Sequence, residues 1–381
     1  MRIVRFGIIG AGLMGREFAT AAARWAHLVD MNVKPEIIAV CDKNKNLLEW
    51  YKQNFPSVKI VTEDYRELLD NSDIEALYIA VPHNLHCEIY VAAIKAGKHF
   101  LGEKPFGIDL EANTKILDAL RDNPKVFTRC SSEFPFFPAA QKICKMIEED
   151  KFGRIIEVNA AFLHSSDIDP NKPINWKRMI EFNGEYGCMG DLGMHVCHIP
   201  FRAGWYPKNV RAFLSKLVKE RPDSTGKMVS CLTWDNAILA CEAQRADNGE
   251  IFPMVLKTHR IAPGEKNTWS IEILGMKSSA RFSTKNPKLL EVLEYQGGEQ
   301  VWQHIDIGAE TAFKTITGSI FELGFSDAIL QMWAAFLYEL VNGKPLSKFA
   351  ACVTPEETAL SHKLFTASLK SAKFNTVENI E

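Results

Sequence analysis

At 381 residues the chain is longer than one hydrophobic core usually grows, so two domains are expected. Its 46% hydrophobic and 24% charged residues are those of an ordinary soluble globular protein. A formal net charge of −2 leaves no basic excess, which argues against nucleic acid and anionic membrane surfaces as partners and for a small molecule.

Arg5-Phe6-Gly7-Ile8-Ile9-Gly10-Ala11-Gly12-Leu13-Met14-Gly15 is an apolar run ending in G-x-G-x-x-G and passing into a helix-like pattern. It predicts a strand, a tight turn and a helix start. In such a turn Gly10 allows the sharp bend, Gly12 lets a pyrophosphate approach the backbone, and Gly15 lets helix and strand pack closely. The N–H groups at the helix start, around Leu13 and Met14, then face the phosphates. Arg2 and Arg5, the apolar stretch and the small residues at 19–23 imitate a secretory leader, but Arg16 and Glu17 interrupt it, so the segment reads as structure. No run of 18 or more apolar residues follows, and no membrane span is expected.

Residues 16–28 are mostly helix-forming, and Pro35 punctuates the way into a β-branched run at 36–42 that predicts the second parallel strand. Asp42 stands 27 residues beyond Gly15, further than the spacing of about 20 usual for an acid that binds the adenosine ribose. Residues 29–34 read as a small insertion that explains the gap. A carboxylate at this position accepts from both ribose hydroxyls and repels a 2′-phosphate, so NAD is favoured over NADP, with Lys43 and Lys45 softening the exclusion.

Further strands are expected at 58–61, 76–81 and 98–101, separated by helices that include 64–69 and 86–96. Strands alternating with helices imply a doubly wound parallel sheet, whose ligands bind beyond the carboxyl ends of the strands. Two polar clusters fall there, Val81-Pro82-His83-Asn84-Leu85-His86 and Gly102-Glu103-Lys104-Pro105. Candidate cofactor contacts are therefore Gly10, Gly12, Leu13, Met14, Gly15, Asp42, Pro82, His83, Asn84, His86, Glu103 and Lys104.

The nine cysteines include no C-x-x-C pair and mostly sit in apolar patterns, which suggests reduced, buried thiols and a cytoplasmic setting. Cys188, His195, Cys197 and His198 match no standard zinc spacing, so no metal is expected.

These residues together resemble the glucose-fructose oxidoreductase, inositol dehydrogenase and rhizopine-catabolism superfamily. The motifs are the G-x-G-x-x-G, the acid ending the second strand, V-P-x-x-x-H from Val81 to His86, Glu103-Lys104-Pro105, and Gly187-x-x-x-Asp191-x-Gly193-x-His195. The resemblance covers essentially the whole chain. It implies an α/β protein with an N-terminal doubly wound Rossmann domain at 1–130 that binds NAD. A substrate-binding and dimerisation α+β domain follows at 131–381, built on a large, mainly antiparallel open sheet. Strand-like segments at 154–162, 210–219, 228–234, 237–243, 269–274 and 280–283 agree with that sheet. Two helices, at 327–341 and 355–370, are expected to pack back near the first domain. A homodimer or homotetramer is implied.

Oxidising a secondary alcohol requires a hydride acceptor and a base for the hydroxyl proton. His195 is the natural base because imidazole titrates near neutrality, and Asp191 shares its face if the segment is helical. The resemblance assigns Lys104, Asp191 and His195 to proton transfer, with Lys104 donating to the reacting hydroxyl. It also places substrate contacts near His164 and in Trp176-Lys177-Arg178. Trp176 could stack on a sugar or simply pack, and Arg178 could read an anion or pair with a surface acid. His198 stands where many superfamily members carry an Asp that binds a substrate hydroxyl. Candidate substrate contacts are thus Lys104, His164, Trp176, Arg178, Asp191, His195 and His198.

The expected activity is NAD-dependent oxidation of a secondary hydroxyl on a sugar, anhydrosugar or cyclic polyol. One alternative is an NAD-dependent glycosidase acting by transient oxidation and elimination. Another is a non-catalytic sugar- or nucleotide-sensing regulator on the same fold, against which the retention of Lys104, Asp191 and His195 argues.

Overall fold

In the computed structural model, which describes residues 1–380, the first 130 residues build a six-stranded sheet. Its strands are β1 (Arg2–Ile9), β2 (Val33–Cys41), β3 (Ile60–Thr62), β4 (Ala76–Ile79), β5 (His99–Gly102) and β6 (Thr128–Cys130), all parallel, in the order β3-β2-β1-β4-β5-β6. Helices α1 (Leu13–Ala23), α2 (Lys45–Asn54), α3 (Arg66–Asp70), α4 (His86–Lys95) and α5 (Leu110–Asp122) connect them. The order reverses between β1 and β4, which opens a crevice at their carboxyl ends, beside the β1–α1 turn.

Two local expectations are corrected. Pro35 lies inside β2 rather than ahead of it, opposite Val4 of β1. It is tolerated because β3 meets β2 only at Ala39–Cys41, so the missing N–H interrupts no ladder on that side. The last residues of the expected 29–34 insertion are therefore strand. The sixth strand, β6, carries no sequence signal of its own, being three residues long.

The C-terminal domain is built on a second sheet of nine strands. They are β7 (Ile155–Leu163), β8 (Trp205–Ser215), β11 (Asn236–Arg245), β12 (Ile251–His259), β13 (Thr268–Gly275), β14 (Ser278–Ser283), β15 (Leu289–Glu294), β16 (Gln303–Asp306) and β17 (Glu378–Asn379), and β9 (Glu220–Pro222) with β10 (Met228–Ser230) forms a separate hairpin. The order is β16-β15-β14-β13-β7-β12-β11-β8-β17, antiparallel except between β7 and β12. Residues 228–234, expected as a strand of this sheet, instead contribute β10 and a loop.

Helices α6 (Pro138–Glu148), α7 (Ile180–Asn183), α8 (Cys188–Ala203), α9 (Phe325–Asn342) and α10 (Pro355–Phe374) complete the chain. Residues Cys188 through Phe201 of α8 are all buried, because the helix lies over the inner face of the second sheet; Trp269 Nε1 of β13 donates to the His195 carbonyl at 2.9 Å. Helix α9 inserts Trp333 between Phe18 of α1 and Tyr78 of β4, with ring centroids 3.7 and 5.0 Å away. Burying an aromatic of this size contributes about 2–3 kcal/mol, so α9 ties the late chain to the first sheet. Among the described residues no helix is long and apolar enough to cross a membrane.

Candidate active site

The β1–α1 turn is shaped by two glycines that admit no side chain. Gly10 has φ of +101°, and a Cβ there would lie 2.2 Å from the Ala80 carbonyl oxygen. At Gly15 a Cβ would lie 2.2 Å from the Gly10 oxygen. Gly12 differs: its φ is −70° and nothing stands within 4 Å of a Cβ built on it. The glycine therefore keeps a cradle clear rather than a backbone relaxed. Helix α1 starts there without a side-chain cap, leaving its first N–H groups free to meet an anion.

Asp42, at the end of β2, accepts from Ala11 N at 2.7 Å and from Asn44 N at 2.8 Å, one bond to each oxygen. Each oxygen keeps a lone pair for a hydroxyl donor. An open glycine cradle, uncapped helix N–H groups and a braced carboxylate fit a dinucleotide diphosphate with an unphosphorylated ribose.

From this turn a cavity of about 520 Å³ runs to the second sheet. Gly12, Leu13, Met14, Asp42, Pro82, His83, Glu103 and Lys104 line it on the side of the first sheet. Gly10 and Gly15 act through the turn behind it. Asn84 and His86 do not line it, contrary to expectation. Asn84 points to solvent from a single 3-10 turn. His86 stacks on Tyr90, its centroid 4.9 Å away, and bonds the Val81 carbonyl at 3.0 Å, so it shapes the loop after β4.

On the opposite wall Asp191, in the first turn of α8, is 1% exposed and surrounded by cations. Lys104 Nζ donates to its Oδ1 at 2.9 Å, Lys177 Nζ to Oδ1 and Oδ2 at 3.0 and 3.2 Å, and the Arg260 guanidinium pairs with Oδ2. Burial depresses Lys104 below the ordinary lysine range. Burial, followed by the charges of Arg260 and Lys104, presses Lys177 well below it.

One helical turn along, His195 faces the same cavity. Its Nδ1 lies 3.3 Å from Ser132 Oγ and 3.9 Å from Glu133 Oε2, and Nε2 has no protein partner among the described residues. Burial, then Lys104, holds the ring well below the usual imidazole pKa, so it is neutral at pH 7 and can accept a proton. Burial, then Glu103, pushes Glu133 up to about 8. His164 and Trp176 also line the cavity, Trp176 edge-on to His83 with centroids 5.0 Å apart. Burial and Arg260 bring His164 down to about 3.

Two expected substrate contacts lie elsewhere. Arg178 is 1% exposed and bound between Asp167 Oδ2 at 3.0 Å and Asp235 Oδ1 at 2.9 Å, where it fastens the 167–178 loop to the second sheet. A guanidinium so paired has no reach to a ligand. His198, three residues past His195, turns under the helix beside Arg202 and the backbone of Ala351, buried with its Nδ1 unpartnered.

Conversely, Arg260 and Glu133 were not anticipated as site residues, and Lys177 was expected only as part of the segment Trp176-Lys177-Arg178, with no role of its own. Arg260 follows β12, a strand with no expected counterpart in the sequence. Glu133 had no usable signal either, because the strand whose carboxyl end it follows, β6, is itself unmarked in the sequence.

Residues 4–129 match the profile of an oxidoreductase family with an NAD-binding Rossmann fold. The chain is similar to a levoglucosan dehydrogenase of Pseudarthrobacter phenanthrenivorans, 31% identical over 228 residues, 59% of this chain and 57% of that one. It is also similar to a glucose-6-phosphate 3-dehydrogenase of Bacillus subtilis, 25% identical over 293 residues, 76% of this chain and 77% of the relative. The first of these alignments thus spans little more than half of the relative. Over all of both chains the fold matches that of a levoglucosan dehydrogenase solved with NADH, with a TM-score of 0.87 and 23% identity.

Proposed function

We propose, from the premise that the chain belongs through its N-terminal domain to the oxidoreductase family with an NAD-binding Rossmann fold, that it is an NAD-dependent dehydrogenase acting on a secondary hydroxyl of a sugar, anhydrosugar or cyclic polyol. The observation carrying this reading is that Lys104, Asp191 and His195 line one cavity with the Gly12 cradle and Asp42. The turn at Gly10 to Gly15 and Asp42 would hold NAD, with Pro82, His83 and Glu103 alongside; when bound, NAD supplies the hydride acceptor.

The chain's own residues manage the proton. His195 Nε2 takes it from the reacting hydroxyl, because the ring is kept neutral by burial and is fixed by Ser132 at Nδ1. Lys104 donates a hydrogen bond to the developing alkoxide, and Asp191 orients the lysine ammonium at 2.9 Å. Trp176 and His164 supply the remaining sugar-facing wall.

Self-association as a dimer or tetramer through the outer sheet face belongs to the same reading. Phe213, Ile238, Val255 and Ile251 share that face on β8, β11 and β12, Phe213 and Ile251 exposed. Nine unpaired cysteines support a cytoplasmic setting.

The test is NAD reduction by purified protein against a panel of neutral and acidic sugars, anhydrosugars and cyclic polyols. Turnover on at least one, lost in His195→Ala with NADH binding kept, is the expected result. NADH binding with no turnover on any member would end the reading.

A further inference from the structure

The sugar-facing wall holds more positive charge than it neutralises. Lys104, Lys177 and Arg260 all converge on the single carboxylate of Asp191, three basic groups against one acid, and Lys177, pressed well below the lysine range by burial and then by Arg260, is the group that an added anion would recharge. The other acids at the cavity do not cancel this excess. Glu103, which accepts from Tyr78 OH at 2.7 Å, offsets one charge. Glu133, pushed up to about 8, is protonated at neutral pH. Asp167 and Asp235 behind the wall are taken by Arg178 and Lys172.

Arg260 supplies an independent sign. It is 6% exposed, lines the cavity, and its Nε has no hydrogen-bond partner. A buried guanidinium N–H without an acceptor is costly, so Arg260 is held at the cavity wall incompletely paired. Even brought down to about 10 by burial and Arg178, Arg260 stays charged at neutral pH. Lys177 is the more accessible partner, with 31% of its side chain exposed. Pyranose hydroxyls alone would leave this charge unanswered, whereas a planar carboxylate or a phosphate answers both residues.

We propose that Lys177 and Arg260 form a subsite for an anionic substituent, a carboxylate or a phosphate, on the sugar, an inference that rests on the dehydrogenase reading of the same cavity. It is tested by calorimetric titration of the NAD-loaded protein with matched sugars: glucose against glucuronate and glucose 6-phosphate, and galactose against galacturonate. At least one acidic member is expected to bind tenfold or more tightly than its neutral partner, the uronates and the phosphate ester separating the two sources of charge. Lys177→Met should shrink that ratio to below threefold, and Lys177→Arg should restore it. Should no acidic member bind more tightly than its partner, failure to bind included, the subsite is wrong whatever the turnover. A preserved acidic preference without NAD reduction would instead overturn the dehydrogenase reading and leave the subsite standing.

Discussion

The two ends of the cavity are made in different ways. The cofactor end is backbone: a turn of three residues between β1 and α1, with the first turn of α1, braced by one carboxylate that follows the next strand. The opposite end is side chains brought from five places, Lys104 after β5, Glu133 after β6, Lys177 in a 3-10 turn, Asp191 and His195 on α8, and Arg260 after β12. In the backbone site Gly10 and Gly15 admit no side chain and Gly12 leaves space open, and the turn carries little charge of its own. A side-chain site is adaptable in shape but is set by its balance of charges.

Substitutions can separate these ends. The largest effect is expected at Lys104, where Lys104→Met should lower kcat by roughly a thousandfold while NADH affinity, measured by fluorescence titration, stays within about threefold. Comparable loss of NADH affinity would mean that the two ends are not separable. Gly10→Val should do the reverse, abolishing NADH binding and lowering Tm, because a Cβ at φ of +101° meets the Ala80 carbonyl. Gly12→Val is the sharper contrast. Its Cβ meets no protein atom, so Tm should hold while NADH binding weakens roughly tenfold or more. A fall in Tm as large as that of Gly10→Val would refute the cradle.

Smaller effects probe the far end. His198→Ala should cost about 1–3 kcal/mol of stability in denaturant unfolding without changing kcat/KM by more than about twofold, since the ring lies in the core under α8. A selective loss of kcat/KM would return His198 to the substrate. Glu133 gives a pH signature. Its folded pKa is raised from 4.5 to about 8, so it releases its proton on unfolding and stability drains away as pH climbs from about 4.5 to about 8. Glu133→Gln removes that linkage, so the Tm of the variant relative to the parent should rise across this window and level off above it. A flat difference from pH 5 to 9 would place an ordinary, solvated carboxyl there.

The cofactor end was legible because its determinants are local. Glycine spacing, a β-branched run and a terminal acid all lie within the first 42 residues, and each has one physical purpose. The α8 face was legible for the same reason, since Asp191 and His195 at four-residue spacing share a side on any helix. His198 was not, because i+3 is compatible with either the cavity or the core, and only the packing of Arg202 and Ala351 chose the core. Arg178 likewise offered a charge whose partners, Asp167 and Asp235, lie 11 and 57 residues away.

By itself, then, the chain's order of residues determined a doubly wound sheet, a dinucleotide turn and the positions of Lys104, Asp191 and His195, because turns, strand alternation and helix spacing act over short distances. The tertiary structure alone decided the charge of the wall around Asp191. Lys177 and Arg260 meet at Asp191 only after β12 folds beside β7 and α8 settles across the inner face of the sheet. Coulomb forces depend on distance in space, and no spacing along the chain encodes it.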